Sequence, residues 1–251
     1  MAIVGSNLTA GADTTDANSF PTASVTLLAN RLILAAIGNS KATTANVPTL
    51  SSTGATWVQI ATLETTTGGG FRRATLFRTM VSSDQTGVIT IGFAGVIQAG
   101  AMWSIDQFTG VDTSGTNGSG AVVQNATAID DSGTATSLTI TLAAFADAVN
   151  NTSYGMGIVA RSAAEDLVPG TGFVQLADVG HSSPIMSLLS EWKSPVGEDI
   201  SVDFTWTTAA AACGIAVEVK AAASAATDPA LLSYNSVPNQ GRWWQRQFAP
   251  F

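Results

Sequence analysis

Residues 200–207 read ISVDFTWT, and this stretch decides the fold. Its apolar letters alternate with small polar ones at a period of two, which is typical of a strand with one buried and one wet face. The same pattern recurs with shorter side chains as SLTITL at 137–142 and as VITIGF at 88–93. The three stretches together predict a protein built from antiparallel β-sheets.

Outward from these stretches, further segments have strand composition and are separated by turn formers. We expect strands at 23–28, 31–37, 56–63, 73–81, 101–108, 121–127, 153–161, 173–179, 185–192 and 214–219. The turn formers are TGGG at 67–70, GTNG at 115–118, DSG at 131–133 and PG at 169–170. About a dozen strands with such punctuation predict an antiparallel β-sandwich of jelly-roll-like type. The only helix-like stretch is AAFADAV at 143–149, where we expect one or two turns.

The composition favours assembly and argues against nucleic acid as a partner. Charged residues make up 11% of the 251-residue chain, against roughly 25% in typical soluble domains. A surface of Thr, Ser, Asn and Ala offers little repulsion between molecules, so we expect copies or partners to cover it. The net charge is −8, and no run of Lys or Arg is present to follow a phosphate backbone.

The sequence has few features that indicate a cellular compartment. Cys213 is the sole cysteine and lies in the apolar run ACGIAV, where we expect a buried thiol and no disulfide. The longest apolar stretch, 32–37, is too short to span a bilayer, and the first residues lack a basic signal-peptide region. We therefore expect no membrane partner and a protein made in a cytoplasm-like compartment or released by lysis.

The chain divides into two parts by composition. Residues 1–220 have the strand pattern and are expected to form one sandwich domain without an internal repeat of fixed period. Residues 221–229 read AAASAATDP, a low-complexity linker. The remaining residues lose all periodicity, so we predict a linker and C-terminal docking arm over 221–251.

A search for catalytic groups gives little support for an enzyme. His181 is the only histidine and has no Gly-x-Ser-x-Gly elbow beside it, so we expect a loop histidine without a catalytic role. Asp106, Asp112, Glu191 and Asp203 are carboxylates that could flank a glycosidic bond in pairs. Acidic residues are also normal on the wet face of a sandwich. We therefore predict no enzymatic activity and no cofactor.

Metal and sugar sites are weakly indicated. The DTSGTNG run at 112–118 has one carboxylate and lacks the bidentate acid that ends a calcium loop, so a plain turn is favoured. Trp57, Trp103, Trp192 and Trp206 could stack on sugar rings, but all fall in strand candidates and are expected to pack in the core. A glycan stays a candidate partner.

The C-terminal stretch GRWWQRQFAPF at 241–251 differs from the rest of the chain. It places four large aromatics and two arginines, residue types enriched at binding hot spots, beyond the domain. The predicted partner-binding residues are Arg242, Trp243, Trp244, Arg246, Phe248 and Phe251. The alternative is that this segment folds back onto its own sandwich.

Several motifs together resemble a family of jelly-roll or lectin-like sandwich proteins of tailed bacteriophages. They are DTTD at 13–16, Gly54-x-x-Trp57, WSI-x-x-F-x-GVDTSG at 103–115, SLTITL at 137–142 and GIAVEVK at 214–220. The resemblance covers about residues 8–220 and does not extend to the arm. It implies a virion component, expected to be trimeric, with no catalytic residues to carry over.

We favour a head decoration or cement protein that binds the major capsid protein or another virion protein. The alternative is a receptor- or carbohydrate-binding module of a tail fibre, whose loops at 64–72, 112–120 and 163–172 would contact a glycan. A glycan-cleaving enzyme on the same fold is a third reading and would need Asp106 or Glu191 in a cleft. The expected location is the virion, assembled in the host cytoplasm.

Overall fold

The computed structural model describes residues 2–66, 71–160, 166–194 and 196–223, and every regular element within them is a β-strand. The predicted all-β antiparallel class is therefore confirmed, while the jelly-roll connectivity stays a prediction. The strands are β1 (Val4–Asp13), β2 (Ser19–Leu27), β3 (Leu32–Lys41), β4 (Thr49–Ser51), β5 (Val58–Thr65), β6 (Phe71–Thr79), β7 (Gln85–Gly92), β8 (Gly100–Thr109), β9 (Val122–Thr141), β10 (Thr152–Val159), β11 (Val168–Pro169), β12 (Phe173–Ser182), β13 (Ile185–Lys193) and β14 (Ser201–Val219).

The strands form three antiparallel sheets. The first large sheet has the order β1-β8-β3-β6-β5, and the small sheet has the order β2-β7-β4. The second large sheet has the order β11-β14-β10-β13-β12, with β9 also paired to β14. The two large sheets enclose one apolar core, and the small sheet covers the outer face of the first large sheet around another.

The long strands β9 and β14 fold over the second large sheet and enclose a third core. Gly157 of β10 pairs with Gly214 near the end of β14. A Cβ placed on the same Gly157 would lie within the ring of Phe204, from the beginning of β14. β14 therefore contacts Gly157 in two ways. Its last part pairs with β10 within the sheet, and its first part packs on the face of β10, so β14 must fold back over the sheet.

The two halves of the chain repeat one arrangement of strands. In the first half, residues 4–109, the sheets run β1-β8-β3-β6-β5 and β2-β7-β4. In the second half, residues 122–219, the first part of β9 and the last part of β14 give the order β9-β14-β10-β13-β12. Their remaining parts, together with β11, repeat the small sheet as β9-β14-β11. Each half is thus a sandwich with its own core, and the halves meet through their large sheets.

Local details of the two halves also agree. The first half reads WVQIA at 57–61 with a bulge between Gln59 and Ala61. The second half reads FVQLA at 173–177 with a bulge between Gln175 and Ala177. VGSNLTA at 4–10 and VVQNATA at 122–128 begin the outermost strands of the two large sheets. This shared arrangement was not anticipated from the sequence, because spacing that varies along the chain and few shared letters leave no repeat of fixed period.

The central strands are buried on both faces, which explains their nearly continuous apolar sequences. In β3, every residue from Leu32 to Ser40 is buried. Leu34 and Ala36 face the core between the large sheets, while Ile33 and Ile37 face the small sheet. Gly38 is required at a close approach, because a Cβ there would lie 2.6 Å from Ile158 of the opposite sheet.

The short helix expected at 143–149 is not formed. Three backbone N–H groups of this segment donate instead to side chains from other parts of the second half: Ala143 to Gln124, Phe145 to Glu198 and Ala146 to Glu218. These bonds hold the segment against β9, β14 and residue 198, and burial of Phe145 in the third core fixes its path. Tertiary contacts therefore overcome a weak local preference.

Other boundaries differ from the expectations. The turn predicted at 131–133 lies inside β9, where Gly133 has a positive φ of 71° and the strand is locally irregular. Strands β1, β4 and β11 were not expected, because β1 has few apolar letters and the other two are very short. Trp57 lies directly before β5 rather than inside a strand. The GTNG turn at 115–118 is confirmed, and the TGGG run lies outside the described residues.

Candidate functional site

The predicted arm cannot be placed. Arg242, Trp243, Trp244, Arg246, Phe248 and Phe251 all lie outside the described residues. The described part of the domain extends slightly past the predicted boundary, since Ala221 pairs with Val111 and contributes to the core between the halves. Ala222 N–H also donates to the Gly110 carbonyl at 2.8 Å.

Four strand edges form the most extensive candidate interaction surface. Among the described residues, β1 and β5 of the first large sheet and β12 of the second each pair with one neighbour only, as does β9 along its first part. None of these four strands contains Lys or Arg. Natural sheets commonly protect their edges with lysine, proline or a covering element, because an edge carries unpaired backbone groups. One side of each of these strands therefore has no strand partner among the described residues, and we call these edges open.

The edge of β9 is the longest of the four and exposes apolar side chains. Ile129 is 48% exposed and Val123 is 43% exposed, and both belong to the part of β9 paired with the end of β14. Charge appears on this strand only at Asp130 and Asp131. An edge without lysine or arginine, with partly exposed apolar side chains, favours association with a further β-strand.

Asp106 is fully buried at the centre of a polar cluster. Its carboxylate accepts hydrogen bonds from Asn7 Nδ2 at 2.8 Å, Ser104 Oγ at 2.9 Å and Tyr154 Oη at 2.9 Å. Ser190 Oγ extends the cluster by donating to Ser104 Oγ at 2.9 Å. Burial raises the pKa of Asp106 to about 6, although these donors lower it. With no exposed surface, the carboxylate joins the two halves and cannot meet a substrate.

Glu191 points away from this cluster. Its neighbour Ser190 faces Ser104 in the core between the halves, and successive side chains of a strand point to opposite faces. Glu191 is 1% exposed and accepts a hydrogen bond from Gly170 N–H at 3.0 Å. Burial raises its pKa to about 8, helped by the negative charge of Asp203. The carboxylate pair of Asp106 and Glu191 considered for a glycosidase is therefore separated by the sheet.

Asp112 serves as an ion-pair partner near the end of the described chain. Its carboxylate lies 2.8 Å from Lys220 Nζ and accepts a hydrogen bond from Ser114 N–H at 2.8 Å. The hydrogen bond from Lys220 and that from Ser114 lower the pKa of Asp112 to about 2. A cavity of about 300 Å³ lies beside this pair and is also lined by Asn150 and residues 221–223. Residues 221–223, the last described residues before the predicted arm, therefore line a cavity beside this ion pair.

The tryptophans and the histidine lie mainly in the interior. Trp103, Trp192 and Trp206 are buried, as expected, while Trp57 is half-buried and donates to Ser52 Oγ at 3.0 Å. His181 was expected in a loop, but it lies in β12, is buried and packs against Gly100. Burial lowers the pKa of its imidazole. Among the described residues, no group of three His, Cys, Asp or Glu side chains could hold a metal ion.

Sequence reasoning placed Asp106 on a wet face and overlooked its donors Asn7 and Tyr154. Nothing near Asp106 in the chain indicates these partners, because they come from β1 and β10. The recurrence of N-x-T-A at 7–10 and 125–128 is the one signal that could have drawn attention to Asn7.

Comparison with family models, curated proteins and solved structures gave no match for this chain. The resemblance to sandwich proteins of tailed bacteriophages therefore stays a prediction. Within the described ranges, no helix is long and apolar enough to cross a membrane.

Proposed function

We propose that this protein is a non-enzymatic structural component of a tailed-bacteriophage virion, a head decoration protein that assembles through its sheet edges and C-terminal arm. The observation that carries the proposal is the set of four open edges without a single Lys or Arg. A protein that stays monomeric gains from protecting such edges. A protein that pairs them with copies or capsid strands does not need that protection.

The polar interior fits the same role. The Asp106 and Glu191 carboxylates are both buried, accept hydrogen bonds within the fold and lie on opposite faces of the second large sheet, so these two do not form a pair in a common cleft. A low charge content leaves wide surfaces of small polar and apolar side chains, which suit repeated contacts between copies. We propose the homotrimer as the assembled form and the major capsid protein, or another virion protein, as the partner.

A matched pair of lysine substitutions tests the role of the β9 edge. Ile129→Lys places a charge on the edge strand, whereas Ile97→Lys places the same charge on a somewhat more exposed loop residue (58% against 48%). Light scattering should give three times the chain mass of 25.5 kDa for the natural protein and for Ile97→Lys. Ile129→Lys should lower that mass and should reduce co-sedimentation with heads of the encoding phage. A monomeric natural protein, or identical behaviour of both variants, would contradict edge-mediated assembly.

A further inference from the structure

Arg78 differs from the other arginines of strand β6. Arg72 donates to the Ile185 carbonyl at 3.1 Å, and Arg73 donates to the Ala45 carbonyl at 2.7 Å and pairs with Glu64. The guanidinium of Arg78 has no hydrogen bond or ion pair with any described residue, and its Nε is buried without a partner. A buried donor left without an acceptor is costly, so an acceptor from outside the described chain would be stabilised there.

The side chain lies in a groove of about 240 Å³ between the two halves of the molecule. Gln59, Ile60 and Arg78 line it from the first half, residues 122–125 line it from the second, and Ser119 lines it from the connection between the halves. No acidic residue is present in this lining, although the chain as a whole carries a net charge of −8. The groove therefore offers a local positive charge without a competing carboxylate.

Comparison of the two halves shows that the fold does not require this groove. Arg78 pairs with Leu34 and Val58, and Trp192 occupies the corresponding place in the second half between Tyr154 and Val174.

Trp192 fills its own site. It is buried, its ring packs edge-on against Phe108 with centroids 6.0 Å apart, and it lies directly over Gly5. In the repeated segment that begins VGSN at 4–7 and VVQN at 122–125, Val123 stands where the other copy has Gly5. At one of these two equivalent sites, the Trp192 ring packs on Gly5 and fills the space. At the other, the space beside Arg78 and Val123 is an open groove.

We propose that the Arg78 groove binds one unit of an acidic sugar through its carboxylate. The guanidinium is planar and always charged, and its paired N–H groups match both oxygens of a carboxylate. Gln59 and Asn125 have exposed amides without a hydrogen bond to any described residue, and they can bond to ring hydroxyls. The Ser119 hydroxyl can do the same, while Ile60 and Val122 provide apolar surface beside the ring.

The size and lining favour a sugar over an acidic peptide. Pockets for drug-sized ligands usually enclose about 300–1,000 Å³, so a groove of about 240 Å³ suits a single ring. A glutamate side chain would use Arg78 but has no ring hydroxyls for the two amides. The lining includes Ser119 of the 112–120 loop, one of the three loops where the sequence placed a glycan, and the proposal does not depend on the assembly role proposed above.

A titration of the full-length, ¹⁵N-labelled protein tests the proposal with four probes at equal ionic strength: galacturonate, galactose, acetate and the peptide Gly-Glu-Gly. Galacturonate should bind at least tenfold more tightly than the other three and should shift the resonances of Gln59, Ser119 and Asn125. If acetate bound as tightly as galacturonate, the groove would be a simple anion site. If galactose bound as tightly, the carboxylate would not contribute to recognition. Tighter binding of the peptide, or no binding of galacturonate, would also overturn the proposal.

Substitutions distinguish binding in the Arg78 groove from a general effect of positive surface charge on binding. Arg78→Gln should weaken galacturonate binding at least tenfold, whereas Arg31→Gln, the same change outside the groove, should leave it unchanged. Arg78→Trp introduces the residue of the second half and should abolish binding by filling the groove. Asn125→Ala alters an exposed residue and should reduce affinity several-fold, so the test holds even if an Arg78 variant fails to fold. Natural affinity in well-folded Arg78→Gln, or in Asn125→Ala, would overturn the proposal.

Discussion

Tyr154 donates its hydroxyl hydrogen bond to the Asp106 carboxylate at 2.9 Å and so connects β10 of the second half with β8 of the first. Both side chains are fully buried, and the Tyr154 ring packs edge-on against Phe108 with centroids 5.8 Å apart. The contact places a directional polar bond in the apolar core shared by the halves. Such a bond fixes the position of one half on the other more specifically than apolar packing alone.

Tyr154→Phe should destabilise the protein by about 1–3 kcal/mol, because it leaves a buried carboxylate short of one donor. The ring packing is kept, so the effect reports on the hydroxyl alone. Urea denaturation followed by tryptophan fluorescence measures the free energy of unfolding, and the slope with urea should not change. A loss below about 0.5 kcal/mol, the lower end for a net hydrogen bond, would show that Asp106 is satisfied without Tyr154.

The stability of the protein should depend on pH through Glu191. Its pKa is raised from 4.5 to about 8 by burial, so between these values the folded state holds a proton that the unfolded state has lost. The stabilisation is complete below pH 4.5 and is lost as pH rises through 8, with a slope of up to about 1.4 kcal/mol per pH unit. Asp106 adds a similar loss between 3.8 and about 6.

Glu191→Gln should flatten this dependence between pH 6 and 8, because the amide cannot ionise. Thermal midpoints measured across this range should fall with pH in the natural protein and change much less in the variant. Asp16→Asn, at an exposed position in the segment before β2, is the control and should follow the natural protein. A natural protein whose midpoint rises from pH 6 to 8 would show that Glu191 is ionised in the folded state.

The sheets could be predicted from the sequence because strands buried on one face and strands buried on both faces have different, recognisable residue patterns. Alternation at 200–207 and the apolar run of β3 each follow from the faces that these strands bury. The cluster around Asp106 could not be predicted, because Asn7, Tyr154 and Ser190 reach it from strands that are distant in the chain. A single sequence does not show which polar residues meet across a core.

The repeat was missed for a related reason. Each half keeps the strand order and the bulge after Gln59 or Gln175, while the side chains between have changed. Phe77 of β6 lies in the core of the first half, and the residue in the corresponding register of the second half is Glu191. Backbone geometry is therefore retained where side-chain chemistry is not, and pattern matching by letters loses the relationship.

Gly157 allows the folded-back part of β14 to lie on β10, and substitution there should be severe. A Cβ at this position would overlap the Phe204 ring, so Gly157→Ala should cost about 1–3 kcal/mol or more through overpacking. Gly87→Ala is the matched control, since a Cβ on that strand residue meets no atom within 4 Å. Chemical denaturation of both variants should show a loss at 157 and little change at 87. Equal stabilities would show that Phe204 moves aside freely.

Removal of residues 224–251 tests whether the arm is needed for folding of the domain or for attachment to the phage head. The described fold closes before this segment: Ala221 N–H donates to Asn151 Oδ1 at 3.0 Å, and Ala222 N–H donates to Gly110. Asn151 in turn donates to the buried Glu218 at 2.6 Å. A chain ending at Ala223 should therefore keep its thermal midpoint within about 2–4 °C, the shift produced by 1 kcal/mol in a domain of this size.

The same truncation should lose binding to phage heads, because it removes the aromatic and arginine residues that we propose as the attachment point. Trp243→Ala combined with Trp244→Ala in the full-length chain should weaken binding in the same direction and controls for the loss of chain length. Co-sedimentation with purified heads measures both. Undiminished binding by the truncated chain would remove the arm from the proposal and leave the sheet edges as the attachment surface. A large fall in its thermal midpoint would show instead that the arm packs on its own sandwich.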